Sequence, residues 1–317
     1  MQLYFRPIIA GAIFMVTAAA TATQAVADTT VHSLAGARSV LKTGDARKAF
    51  DREMSGAPEP DGFGVTLPTG FSKAMLTAQI APGIDPARLI LAGVKPWPQQ
   101  PDAYVAVLCF APTAAAAKPA PGAAPLLRCD TYDNTTPDLW LGVYTKGADG
   151  VAHLIARTNN AVTTQTDWST SNIEAPQSIE SDDGSAAAKA LPQSWDRFDF
   201  AKYQLRNGEM AFGVRAGWSE GYAGGGASFE ALYLFRIEGK TLHAVFAQPM
   251  MFSKMLAGNW HKDGTRDHEM SDGSNTLAVL PGVTAGFHDL QLREWRGKWR
   301  QTFQWSDETH SYVPKDL

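Results

Sequence analysis

The chain has 317 residues, 44% of them hydrophobic, with 28 Lys and Arg against 32 Asp and Glu for a formal net charge of −4. That length supports a large core in one domain or two. The mildly acidic balance excludes the basic stripe of a nucleic-acid binder and the polybasic segment of a protein that docks on anionic lipid.

The N-terminus reads "MQLYFRPIIAGAIFMVTAAATATQAVADTT". Arg6 precedes an apolar run over 8–20, and Ala25, Val26 and Ala27 form a small-x-small cleavage pattern. Residues 1–27 are therefore expected to be a secretory signal peptide, cut after Ala27. The run is too short to cross a bilayer and no later segment approaches ~20 apolar residues, so no membrane span is expected after cleavage. The mature chain then carries 27 basic against 32 acidic residues, a net charge of −5. The expected location is periplasmic or secreted. That compartment is oxidising, so the two cysteines, in "VAVLCFAP" and "LLRCDTYD", are expected to pair as Cys109–Cys129.

The first half of the mature chain, 28–157, opens with "SVLKTGDARKAFDREM" (39–54), which has helical character interrupted by Gly44. "IDPARLILAG" (84–93) reads as a short helix with Pro86 in its first turn. Alternation then takes over. "AYVAVLCF", "LWLGVYT" and "VAHLIAR" read as strands, with the Ala/Pro tract "APTAAAAKPAPGAAP" (111–125) as a loop between the two cysteines. Residues 158–194 are polar and poor in pattern, either a linker or a long loop over a shared core, and hold the acidic cluster Glu180, Asp182 and Asp183. The second half, 195–317, supplies "MAFGVRA", "ALYLFRI", "TLHAVFA", "TLAVLPG", "DLQLREW" and "WRQTFQW" as further strands. Three segments, 139–156, 232–247 and 290–305, share the order strand, glycine turn, strand, as a repeated hairpin would. The expected fold is antiparallel all-β, built of hairpin repeats as a propeller or a sandwich, with short helices near the mature N-terminus.

Two segments carry candidate chemistry. In "AGWSEGYAGGG" (216–226), the run Gly217-Trp218-Ser219-Glu220-Gly221 matches Gly-x-Ser-x-Gly, in which a strained strand-to-helix turn exposes a nucleophilic serine. Gly224, Gly225 and Gly226 are poor helix residues, so the helix that motif needs is not expected. With Trp218 and Tyr222, the same glycines could instead let backbone approach a ligand closely while the rings supply contact area. A tight connection with its aromatics in the core is the other reading.

The second segment is "GNWHKDGTRDHEM" (258–270), whose alternate positions offer Asn259, His261, Asp263, Thr265 and Asp267, with Gly264 at the sixth place from Asn259. Over 258–267 it resembles the Ca²⁺ loops of FG-GAP/VCBS repeats, the integrin-α-type propeller blades. The resemblance implies Ca²⁺ held by Asn259, Asp263, Thr265 (through its carbonyl) and Asp267. His261 departs from the pattern, since imidazole suits hard Ca²⁺ poorly. Two outcomes stay open: a Ca²⁺ site, or a turn held by its own hydrogen bonds. Zinc would use His261, His268 and an aspartate, but seven residues separate these histidines where paired-histidine sites use three to five. The expected function is an exported, non-catalytic binding or interaction protein whose partner is an envelope protein or a glycan. The alternative is a periplasmic hydrolase using Ser219, or a metal-assisted site at Asp263 and Asp267.

Overall fold

The structure is a computed structural model. It describes residues 29–56, 60–119, 121–133, 135–179 and 189–315. The expected leader over 1–27 and the acidic cluster Glu180, Asp182 and Asp183 lie outside them.

The chain starts with a short strand, β1 (Thr29–Val31), and two helices, α1 (Leu34–Val40) and α2 (Gly44–Ser55). Gly44 does not interrupt a helix; it opens α2, where the Thr43 hydroxyl accepts the Ala46 N–H as a cap. A third helix, α3 (Lys73–Ile80), is capped in the same way by Ser72. The helix expected over 84–93 is corrected: only a 3₁₀ turn forms at Pro86–Arg88, and β2 (Leu89–Pro96) follows at once. Leu91–Val94 are all buried, and a strand covered on both faces reads as a continuous apolar run, which periodicity cannot tell from a helix.

Every strand expected from alternation is present. They are β3 (Ala103–Phe110), β4 (Asp138–Lys146) and β5 (Ala152–Arg157), then, past the two-residue β6 (Thr166–Asp167), β7 (Lys189–Ala190) and β8 (Ser194–Arg206), the strands β9 (Glu209–Tyr222) and β10 (Gly225–Glu238). β11 (Thr241–Trp260), β12 (Arg266–Thr284), β13 (Phe287–Glu294), β14 (Arg300–Ser306) and β15 (Ser311–Pro314) complete the set. β8 carried no sequence signal because its pairing with β9 is broken by register shifts after Trp195, Asp199 and Gln204. The shifts after Trp195 and Gln204 each insert one extra residue, which flips the inward face and erases the period of two.

The strands form one all-β assembly in layers. β2, β3, β4 and β5 pair antiparallel in that order, and β8, β9, β10 and β11 do the same. β12 serves two sheets: its first half pairs with β11 and its second half, from Asn275, with β13, which continues into β14 and β15. Odd residues of β3 and β4 (Val105, Val107, Leu141, Val143) meet Phe212, Val214, Phe229 and Tyr233 of the middle sheet in a first core. The opposite face of the middle sheet, through Ala211, Leu232 and Leu234, meets Leu290, Leu292, Phe303 and Trp305 in a second. The outer face of β3 and β4 is covered by Leu76 and Ile80 of α3. Of the two arrangements expected, the sheets stack as in a sandwich and do not radiate as propeller blades. The three look-alike segments are hairpins, one in each layer: β4–β5, β10–β11 and β13–β14.

Segment 158–194 contributes to the first core. Trp168 and Ile173 are buried in it, and the Thr166 hydroxyl bonds the Tyr233 hydroxyl at 2.8 Å. Cys109 and Cys129 are disulfide-bonded, and Cys129 exchanges both backbone hydrogen bonds with Trp195 of β8 at 2.7 and 2.8 Å. The bridge therefore ties the outer sheet to the middle one. Replacing both cysteines by alanine is expected to lower stability by about 3 kcal/mol, as loss of a closed loop of this size does. Urea unfolding of the two proteins at neutral pH measures it, and equal midpoints would show that the clamp is dispensable.

Candidate functional site

Past Phe252 and Trp218 the long hairpins β9–β10 and β11–β12 run on side by side as an arm, joined to the first core through Ala227 and Tyr222. Both segments singled out in the sequence lie on it. Ser219 is exposed but sits within β9, opposite Ser228 of β10, with its N–H donated to the Gln193 side chain at 2.9 Å. The chain continues as strand on both sides, so the strand-to-helix elbow of the serine motif is not formed.

The aromatics and the three consecutive glycines of 218–226 are engaged by their own chain. Trp218 is buried edge-to-face against Trp168, at 5.4 Å between centroids, and its indole N–H donates to the Leu191 carbonyl at 3.1 Å. Tyr222 donates to the Glu220 carboxylate. Gly224 makes the turn at φ 85°, and a Cβ there would fall 2.5 Å from the Arg266 guanidinium. A Cβ on Gly225 would lie 2.0 Å from the Met255 carbonyl oxygen, and one on Gly226 2.9 Å from that of Glu220. The approach these glycines permit is thus to neighbouring strands of the same chain.

The calcium-like segment is the tip of the β11–β12 hairpin. His261 N–H donates to the Thr265 carbonyl at 2.8 Å and Gly264 N–H to the His261 carbonyl at 3.2 Å. The Asp263 carboxylate accepts the Thr265 N–H at 3.0 Å and its hydroxyl at 2.7 Å, and these bonds hold the carboxyl below its ordinary range. The turn is thus held by its own hydrogen bonds. Asn259 is exposed beside Trp260, whose ring is 69% exposed and lies under the Arg266 guanidinium at 5.3 Å. Asp267 turns elsewhere. One of its oxygens meets His261 Nε2 at 2.7 Å and His32 Nδ1 at 2.9 Å. The three ligand atoms lie within 4.8 Å of one another, and Asp263 stands outside the group. Hydrogen bonding from His261, then from His32, holds the Asp267 carboxyl below its usual range.

His32 is the residue that sequence reasoning missed. It lies 235 positions from Asp267, and only the antiparallel pairing of β1 with β12, with Val31 opposite His268, brings it there. His268, considered with His261 as a zinc pair, is buried on the other face of β12 beside Met270, and its Nδ1 has no hydrogen-bond partner among the described residues.

At the base of the arm lies a cleft of about 540 Å³ between the α1–α2 corner and the β13–β14 turn. Lys42, Arg47, Asn172, Asp272, Trp295 and Arg296 are among its walls. Asp272 is occupied structurally, accepting Lys42 N–H at 2.9 Å and Thr43 N–H at 2.7 Å. Glu294 accepts the Trp299 N–H at 3.1 Å. Trp295 is 47% exposed, with the Arg296 guanidinium 5.6 Å from its ring. Arg296 holds φ at 59°, a left-handed conformation that L-residues other than glycine adopt at a cost of roughly 1–2 kcal/mol. No protein-family model matches the chain, and no curated protein or solved structure matches it either.

A half-buried ion network lies on the second-core face of the middle sheet. Arg215 bridges Asp199 at 2.6 Å and Glu230 at 2.9 Å, and Glu230 also pairs with Arg197. Burial works against ionising Asp199, but Arg215 together with hydrogen bonds from the Ala201 N–H and the Tyr203 hydroxyl holds that carboxyl below its ordinary range. Asp196 is the opposite case: burial, reinforced by the charge of Glu230, pushes it up to about 6. The folded state therefore holds this proton more tightly than the unfolded chain. The resulting stability is full below about pH 4 and is lost as pH rises through about 6.

Asp196→Asn should accordingly gain on the wild type between about pH 4 and pH 7, by up to roughly 3 kcal/mol. Urea unfolding at both pH values reads the difference, and an unchanged gap would mean that Asp196 ionises normally. Gly225→Ala should destabilise by roughly 1–3 kcal/mol through its clash with strand β11. A neutral result in thermal unfolding would show that the two hairpins separate freely.

Proposed function

We propose that this is an exported, non-catalytic binding protein, and that it takes an acidic saccharide in the cleft at the base of the arm. One observation carries the reading. An exposed Trp295, braced by Arg296, faces a polar cleft whose own carboxylates are engaged by backbone N–H groups. A sugar ring offers a C–H face for an indole and hydroxyls for groups such as Asn172. A uronic-acid carboxylate or a sulfate offers the anion that Lys42 and Arg47 on one wall of the cleft and Arg296 on the other attract. Export is supported by the leader-like N-terminus, and the single disulfide is compatible with it. Among the described residues no helix is long and apolar enough to cross a membrane.

Calorimetric titration of the mature protein with a uronic-acid oligosaccharide and with its neutral counterpart tests this. The acidic ligand should bind more tightly and lose affinity as salt is added. Trp295→Ala should weaken it at least tenfold without lowering the unfolding temperature, because the ring is half exposed. Absence of heat with either saccharide, or affinity indifferent to Trp295, would dismiss the cleft as the site.

A further inference from the structure

We infer that His32, His261 and Asp267 form a site for one divalent metal ion of borderline softness, zinc above all, and that the ion pins the N-terminal strand to the tip of the arm. The inference is independent of the cleft reading. It starts from the donor set. Two imidazole nitrogens and one carboxylate oxygen suit Zn²⁺, whereas Ca²⁺ takes six to eight oxygen ligands. Three protein ligands with a solvent position left over is the arrangement of an open zinc site. The solvent side here is a shallow hollow bordered by Lys262, Asp263 and Thr265.

The geometry needs little adjustment. Tetrahedral zinc with bonds of about 2.0–2.1 Å sets its ligand atoms roughly 3.3 Å apart. The two histidine nitrogens now stand 2.7 and 2.9 Å from the shared Asp267 oxygen, and the imidazole rings 5.6 Å apart edge-to-face. Opening each contact by about half an ångström admits the ion. The ligand that must move most freely is the one that can, because the His32 side chain is 86% exposed. The other two are fixed by the fold. Asp267 is largely shielded on β12, and His261 is clamped to Thr265 through its backbone. Asp263 is held by Thr265, so it does not compete for the ion. Lys262 is exposed, so its charge can stay in solvent, and the Arg266 guanidinium is turned onto Trp260 and the Gly258 carbonyl.

An exposed histidine held to a carboxylate alone gains little, since such pairs contribute about 0–1 kcal/mol in water. A coordinated ion would fix the same three groups far more firmly. It would also join positions far apart in the chain, because β1 precedes every other described element while Asp267 lies 235 residues after His32, on β12. If the leader ends at Ala27, His32 is the fifth residue of the mature chain, so the site includes its extreme N-terminus.

The test uses the mature, oxidised protein without a histidine tag, stripped with a chelator and titrated by calorimetry with Zn²⁺ and, separately, with Ca²⁺. One Zn²⁺ per chain, with a dissociation constant in the micromolar range or below and no response to Ca²⁺, is the expected result. His32→Ala and Asp267→Asn should each weaken Zn²⁺ at least a hundredfold, while the double variant of the exposed His153 and His243 to alanine should leave it unchanged. Co²⁺ loaded in place of zinc should give visible absorption bands of a four-coordinate ion, lost in His32→Ala. Circular dichroism checks that each variant is folded, and His32→Ala, altering only an exposed side chain, is the decisive one. No stoichiometric Zn²⁺ uptake, uptake unaffected by His32→Ala, or equal binding of Ca²⁺ would each overturn the site.

Discussion

Everything in this molecule depends on a middle sheet whose central strands are packed against a core on each face. Along β9 and β10, successive side chains enter opposite cores: Phe212, Val214, Phe229 and Tyr233 one way, and Ala211, Leu232 and Leu234 the other. A strand in that position cannot slip by one residue without exchanging both sets, so its register is fixed twice over. The same crowding explains the smallest residues. A Cβ on Gly213 would lie 2.8 Å from Leu232, and one on Gly142 of the outer sheet 2.8 Å from Ile80 of α3. The disulfide belongs to this scheme too. Through the Cys129–Trp195 pairing it sets the spacing of outer and middle sheets from within the first core.

A sheet buried on both faces has nowhere neutral to put its charges, and the structure keeps them together. Arg215 lies between Asp199 and Glu230 and bridges both carboxylates, so the charges of this face meet one another. Asp196 falls at the end of that chain of alternating charge, with a like-charged Glu230 as neighbour, and it alone is driven toward the protonated form. Gly217 belongs to the same place: a Cβ there would meet both the Asp196 carboxylate and the Ser194 hydroxyl at 2.8 Å. The glycine that suggests a nucleophile elbow in sequence makes room for a buried acid in the fold.

How much of this was legible in sequence follows from geometry. β13 and β14 alternate cleanly, with Leu290, Leu292, Phe303 and Trp305 all on one face, whereas β3 and β4 are apolar on both faces and were readable from their short length and bounding turn residues. β2, equally apolar and following Pro86 without a break, read as a helix, and β8 gave no signal because its bulges shift the alternation. In the arm, strands run straight through polar and glycine-rich stretches that read as loops. Those glycines answer to neighbouring backbone, such as the Met255 carbonyl, that no local pattern contains. Of the trio of His32, His261 and Asp267, two members were visible. His261 and Asp267 stood out as neighbours on one hairpin, but His32 is joined to them only by strand register across the whole chain. The cleft was invisible for the same reason, since its walls come from five separated stretches.

The two candidate sites are also mechanically related. Along β12 the even residues His268, Met270 and Asp272 face the N-terminal segment, and each has its counterpart there. Val31 pairs with His268, Met270 packs with Val31 and Leu41, and Asp272 holds the amides of Lys42 and Thr43. The segment from β1 to the start of α2 therefore lies along β12 as one strip, fastened at one end by His32 on Asp267 and at the other by Asp272. Its middle is secured by Ala37, Leu41 and Ala46, a small cluster set apart from both main cores. A small apolar patch holds a segment weakly, and such segments open at lower free energy than the core. The cleft wall formed by Leu41, Lys42 and Thr43 is thus only as rigid as the two polar ends make it. Tightening the contact at His32 removes freedom from the whole strip, and with it from the wall that would receive a ligand.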